Sequence, residues 1–356
     1  MLLKKSLVNI PALLLLICFF GTAVSAQEAT PEQIKQNKVK SVEKTIHGYS
    51  FGEPTLLGIK VFNEQYDEEG RVVTKITYNE DGEENSRFDY RYDDLGNMVR
   101  QTEYEPDGSI VRSIMMKYDA NKNLTEKTTY DSGESIESKF AYEWNAQNQK
   151  TKQTEYNSDG EIIRRSIFDY DMNNKLEKTI IYNSDGEPEQ KLSYKYDNNG
   201  NPVEELAYNS DGEIETKKIR EYDNKKNLTQ ETEFDSGGDI NSKSRFSYDG
   251  KGNLVEKFKY DDGGDLEESF TYRYDNQNRM IEEVKHSPNG SIIYTNTFKF
   301  DAQGKLFEKA EDNNSDDIHF RNKYKYDSNG LLTEIVVSDK MEEPFKAIRF
   351  NYEFYY

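Results

Sequence analysis

Cysteine, tryptophan and histidine are almost missing from this chain: one, one and three among 356 residues. The single cysteine, Cys18, lies in an apolar run near the N-terminus, so the rest of the chain has no thiol for disulfides, thiolate metal sites or a Cys nucleophile. His47, His286 and His319 form no H-x-x-x-H spacing and read as isolated structural or surface residues. No Gly-x-Ser-x-Gly elbow, phosphate loop or dinucleotide fingerprint is present. With 67 acidic residues a carboxylate pair can be drawn almost anywhere, so no pair singles out a catalytic site. The longest apolar run, Leu7 to Phe20, is shorter than the ~20 residues that span a bilayer, which argues against a transmembrane anchor.

Lys4 and Lys5, that apolar run and the small residues Val24-Ser25-Ala26 have the three parts of a secretory signal over residues 1–26. The expected product is exported, to the periplasm, the outer surface or the medium. Leu15-Leu16-Ile17-Cys18 offers a second reading as a lipidation site, with a bulky Ile17 where that motif wants a small residue. Without Lys4 and Lys5 the chain keeps 45 basic and 67 acidic residues, a net charge of −22. Such a chain is repelled by phosphate backbones and anionic lipid, which excludes nucleic acid as the expected partner.

An aromatic followed by an acidic or amide residue recurs every 26 positions: Tyr66, Tyr92, Tyr118, Trp144, Tyr170, Tyr196, Tyr222, Tyr248, Tyr274, Phe300, Tyr326 and Tyr352. A second aromatic column runs from Tyr78 through Tyr104 and Tyr130 to Tyr260, before decaying at His286 and Asp312. A third, apolar column includes Leu124, Leu176, Leu228, Leu254, Leu306 and Leu332.

Each unit carries two turn signals. One follows the marker aromatic, as in Asp93-Asp94-Leu95-Gly96; the other is Glu105-Pro106-Asp107-Gly108 or Asn157-Ser158-Asp159-Gly160. Both have the chemistry of a type I turn closed by a left-handed residue. Asn148, Asn174 and Asn278 replace the glycine with the residue that best tolerates positive φ, whereas Lys122 and Lys226 fit that slot less well. If both turns are of this kind, Tyr92 faces Met98, Tyr90 faces Arg100 and Tyr104 faces Ile110, giving two antiparallel strands per unit.

Side-chain alternation then puts Phe88, Tyr90, Tyr92, Met98, Tyr104, Ile110, Ile114, Met116 and Tyr118 on one buried face, with Arg87, Asp89, Gln101 and Glu103 on a wet one. The mid-strand row Arg100, Glu126, Lys152, Lys178, Glu204 would share the buried face and needs water or partners there. One unit cannot fold alone, so stability must come from stacking. The expected fold is all-β: an antiparallel meander of 26-residue two-strand repeats coiled into a spiral, open-barrel or shell-like sheet, aromatic face inward. The expected organisation is signal 1–26, an N-terminal cap 27–65 with a helix starting at Thr30-Pro31-Glu32, repeats 66–337, and a truncated repeat 338–356 ending as an edge or docking strand.

The string Tyr90-Arg91-Tyr92-Asp93-Asp94-Leu95-Gly96-Asn97-Met98 and its near-copies 194–202, 248–254 and 324–332 resemble the YD repeat of the rearrangement-hotspot (RHS) family. That resemblance implies spiral β-sheets, which in large bacterial members enclose a C-terminal toxin, and a repeat described as carbohydrate-binding. This unit is longer than the usual YD repeat, and no cargo domain follows the last copy, so the resemblance carries architecture and surface or sugar contact rather than toxin delivery.

The one metal expectation is calcium. Asn157, Asp159 and Glu161, with the equivalent Asn183, Asp185, Glu187 and Asn209, Asp211, Glu213, put three oxygen-bearing side chains in five residues. Hairpin turn chemistry accounts for the same residues without a metal, and no other cofactor is expected. The leading functional expectation is a non-enzymatic exported scaffold binding a cell-surface protein or glycan through its sheet edge, concave face or turn tips. The alternatives are a glycan-acting hydrolase using Asp and Glu, or a purely structural envelope protein.

Overall fold

A computed structural model describes residues 28–314 and 318–356; the expected signal and the Cys18 reading fall outside them. Thr30 caps the helix Pro31–Gln36 through a reciprocal box with Gln33, and the described residues after it form strands and their connections. Seven-residue strands such as Met98–Tyr104 alternate with nine-residue strands such as Ile110–Tyr118, each joined antiparallel to the next.

The sheet closes on itself. The strand Val39–Ser50 pairs with Ile59–Tyr66 on one side and with Pro344–Phe354 on the other. The expected C-terminal edge is therefore covered, and the expected cap supplies the closing strand. Of 25 described strands, only Glu53–Pro54 stays outside the ring, paired to the end of Val39–Ser50. Twenty-four strands at ~4.8 Å give a perimeter of about 115 Å, or roughly 37 Å across if circular.

Both turn kinds have the expected geometry. Asp93 N–H donates to the Asn97 carbonyl and Gly96 N–H to the Asp93 carbonyl; Glu105, Ser109 and Gly108 repeat the pattern at the other end. The left-handed slot is held by glycine at Gly96 and Gly108, by asparagine at Asn148, Asn174 and Asn278, and by Lys122, Glu134, Lys226 and Glu342.

The strand register corrects one expectation. Tyr92 does pair with Met98 and Tyr104 with Ile110, but beyond each pair the register slips by one: Arg91 pairs with Arg100 and Tyr90 with Gln101. A two-against-one bulge at the start of these strands adds one residue and reverses the alternation; the pairing of Leu306–Asn313 with Ile318–Tyr326 runs without one. Tyr90 and Tyr92 therefore share a face with Gln101 and Glu103, while Tyr104 stands with Arg87, Asp89 and Thr102 on the opposite face. The two aromatic columns occupy opposite faces at opposite ends of the wall, and there is no single aromatic interior. Repeated bulges also increase strand twist, which helps a long sheet coil.

The best-packed region is the seam. Ile34 of the helix, Val39, Val42, Phe62, Tyr66, Leu331, Leu332 and Phe350 form one buried cluster. Leu331 occupies the turn position that is Asn97, Asn123 or Asn201 elsewhere, and it is fully buried. A second cluster, Met280, Phe298 and Leu306, lies among the later repeats.

Candidate functional site

Each aromatic column has its own internal partners. In the marker column the phenol hydroxyls of Tyr92, Tyr118, Tyr170, Tyr196, Tyr222, Tyr248, Tyr326 and Tyr352 donate to a backbone carbonyl twenty residues earlier, at 2.8–2.9 Å. Trp144 preserves the bond with its indole N–H, 2.8 Å from the Leu124 carbonyl. The ring fills the space beside its neighbour while the polar tip satisfies a carbonyl. Burial pushes the Tyr248 phenol up to about 12, consistent with a group that stays protonated.

Rings of the second column lie beneath cations from the adjacent strand. Arg87 sits over Tyr104 at 4.3 Å, Arg165 over Tyr182 at 5.0 Å and Lys191 over Tyr208 at 4.5 Å. These are cation–π distances.

The mid-strand charged row lies on this second face and much of it is paired, although the buried Nε of Arg100 has no hydrogen-bond partner. Glu126 is held by Lys117 and Lys139, each at 2.7 Å, and Glu308 by Lys299 at 2.7 Å and Arg321 at 3.7 Å. Hydrogen bonding from Lys117, then from Lys139, draws the Glu126 carboxyl below its ordinary range. On the marker face the buried Arg220 bridges Glu231 at 2.6 Å and Glu205 at 3.2 Å. Lys150 replaces the leucine of the third column; it contacts the rings of Phe168 and Tyr142, and burial pushes its amine down.

The calcium triplets occupy hairpin turns. Asn157 Oδ1 accepts the N–H groups of Asp159 and Glu161, while Asn157 Nδ2 donates to Glu161 Oε2. Asn183 and Asn209 use their oxygens in the same way toward Asp185 and Glu187, and toward Asp211 and Glu213. The asparagine oxygen is thus committed to the turn, and only the carboxylates point outward. Among the described residues no group of three or more His, Cys, Asp or Glu side chains is arranged to hold a metal ion. His47 touches Thr45 and the Thr55 carbonyl, His286 touches Thr271, and His319 pairs with Asp312, so the three are not brought together.

The two ends of the wall differ in charge. Across the ten fully described second-kind turns, from 79–83 to 339–343, there are 21 carboxylates and one amine, Lys340. Across the eleven first-kind turns, from 67–71 to 327–331, there are 13 carboxylates and eight cations. Several of those cations tie neighbouring turns together: Lys122 reaches the Leu95 carbonyl and Lys225 the Gly250 carbonyl.

A protein-family model described as "Uncharacterised protein" matches residues 21–187. No curated protein matches. Among solved structures the chain is similar to "TcdB2-TccC3 without hypervariable C-terminal region", with 11% identity and a TM-score of 0.32, over 80% of this chain and 19% of that one. It thus spans about a fifth of the length of that toxin-complex chain. It is also similar to a porin-like protein from Bacteroides uniformis, with 9% identity and a TM-score of 0.23, over 88% of this chain and 98% of that one. A DUF1329 family protein from Desulfovibrio piger follows, with 8% identity and a TM-score of 0.14, over 90% and 87% of the two chains. At these scores the likeness carries no argument about function, and the closed all-β ring rests on the strand pairing itself. The YD resemblance stays a resemblance of the repeat unit.

Proposed function

We propose that this protein is an exported, non-enzymatic scaffold of the bacterial envelope that binds another protein through its turn tips. The observation that carries the reading is how the wall uses its own chemistry. Marker hydroxyls are bonded to backbone carbonyls and second-column rings lie under cations, so a sugar stacking on either column would first have to displace an internal partner. Sheet-edge recognition is closed off because Val39–Ser50 covers both ends of the sheet. What remains outward and unlike from end to end is the turns.

No helix among the described residues is long and apolar enough to cross a membrane. The faces of the wall bear on a β-barrel span as well: Arg220, Glu205 and Glu231 lie on one and Glu126, Lys117 and Lys139 on the other. A charge facing lipid at the midplane costs about 2–4 kcal/mol, so neither face suits a continuous lipid-facing band.

The test is a paired measurement on the purified mature chain. A glycan-degradation screen should show no turnover, and a pull-down from the native envelope fraction should recover a stoichiometric protein. Turnover of any glycan would favour a hydrolase using Asp and Glu. A clean screen with no captured protein would favour a purely structural envelope component.

A further inference from the structure

The second-kind turn end combines two features that are independent of each other. One is the excess of carboxylates over amines. The other is apolar: where the second column meets the following strand, Ile136, Ile162, Ile214, Ile240 and Ile292 pair with Tyr130, Tyr156, Tyr208, Phe234 and His286. These isoleucines are 39–46% exposed, whereas no apolar third-column residue at the other end is exposed: Met98, Leu124, Leu176 and Leu228 are half-buried and Leu254 and Leu306 are buried, at 6% and 5%. Five of the second-kind turns thus leave an apolar knob outside the wall, each beside a turn without positive charge, whereas Glu84, Pro188 and the half-buried Ile110 and Leu266 hold the same position at four others.

From this we infer that the second-kind turn end is a docking surface for a cationic amphipathic helix. Ile136 and Ile162, and again Ile214 and Ile240, belong to strands two apart and so lie about 9.6 Å from each other around the rim, while Pro188 and the half-buried Leu266 take the positions between those pairs and Ile292, doubling the step there. Seven residues of α-helix advance ~10.5 Å, so an apolar residue repeated every seventh place meets successive knobs. Lysine or arginine on the flanks of that stripe would face Asp159, Glu161, Asp185 and Glu187 of the adjoining turns. A polycation without the stripe would meet only the carboxylates, and an uncharged apolar helix only the isoleucines.

This inference rests on the scaffold reading and names the chemistry of its partner. The probe is a synthetic peptide of about 18 residues with leucine at heptad spacing and lysine on the flanks. Its binding to the mature chain is followed by fluorescence anisotropy, beside a scrambled peptide of equal composition and an oligolysine. The heptad peptide should bind at least about ten-fold more tightly than either control and weaken as salt is raised. Replacing Ile136, Ile162, Ile214 and Ile240 together with serine should cost about ten-fold or more without lowering the melting midpoint at large, because the four are surface knobs. The triple change Asp159→Asn, Asp185→Asn and Asp211→Asn should weaken binding and flatten its salt dependence, since the asparagine-built turns are untouched. Equal binding of the scrambled peptide, or indifference to the isoleucine set, overturns the inference even if the glycan screen stays negative. Glycan turnover would instead sink the scaffold reading, whatever the peptide does.

Discussion

The hydroxyl of Tyr118 donates to the Met98 carbonyl at 2.9 Å, joining a marker residue to the third-column residue of the preceding unit. The same contact recurs along the wall, and at Trp144 an indole N–H takes over the donor role. A phenylalanine would fill the space but leave the carbonyl short of a donor.

Tyr118→Phe should therefore destabilise the protein by about 1 kcal/mol, the usual net worth of such a bond. Trp144→Phe should cost at least as much, since it also shortens the ring. The converse change, Phe300→Tyr, adds a donor in the column and should raise the midpoint. Chemical denaturation of the three variants reads all the effects, and an unchanged Tyr118→Phe midpoint would show the bond to be incidental.

Backbone conformation gives a second expectation. Glu134 holds the left-handed slot at φ 62°, so Glu134→Gly should stabilise by up to about 1 kcal/mol. Gly160, at φ +80° with nothing within 4 Å of an added Cβ, isolates the opposite effect. Gly160→Ala should cost about 1–2 kcal/mol through backbone strain alone. Thermal melts of the two should move in opposite directions.

The buried Arg220 sits between Glu231 and Glu205. Arg220→Met leaves two carboxylates facing each other without their shared cation, and breaking such a bridge costs roughly 3 kcal/mol or more. The triple variant Arg220→Met, Glu205→Gln, Glu231→Gln should recover much of that loss. Recovery, measured by urea midpoints, separates uncompensated charge from lost packing.

Acid sensitivity should follow the first-kind turns. Hydrogen bonds from the side chain and then the backbone N–H of Asn123, Asn227 and Asn253 draw the carboxyls of Asp119, Asp223 and Asp249 below their ordinary range. A carboxyl whose folded pKa is depressed adds stability above the unfolded value, near 3.9, and that contribution is lost as pH falls through the folded value. The melting midpoint should decline from about pH 5 toward pH 2. Asp119→Asn, Asp223→Asn and Asp249→Asn together should flatten the decline, because asparagine caps the same kind of turn at Asn145 without titrating. An undiminished slope in the triple variant would assign acid lability elsewhere.

Repeat, turn chemistry and strand count were legible in the sequence because periodicity and left-handed residues are local signals. The face assignment was not. A bulge such as the one that slips Arg91 onto Arg100 changes no residue type, and arithmetic from the turns carries the wrong parity past it. The charged row Arg100, Glu126, Lys152 was the available hint, since a row of charges suits a salt-bridged face better than an aromatic one. Closure was hidden for another reason: Val39–Ser50 carries no marker, and its partners lie in distant parts of the chain. Leu331 in an asparagine slot was the one local sign that something apolar, here Ile34, covers the seam. The hairpin role of Asn157 is legible from turn chemistry, since its oxygen accepts the N–H groups of Asp159 and Glu161, while the isoleucine knobs beside that turn carry no sequence signal because single exposed apolar residues are ordinary.

Because Val39–Ser50 lies between Ile59–Tyr66 and Pro344–Phe354, the wall has a circular order that the polypeptide merely interrupts. Relinking the chain at that interruption and cutting it in an exposed turn, such as between Asn198 and Asn199, would preserve the ladder of the ring. The ends of the gene product can thus be moved to any side of the assembly, which makes the rim addressable for fusion or tethering without touching a strand.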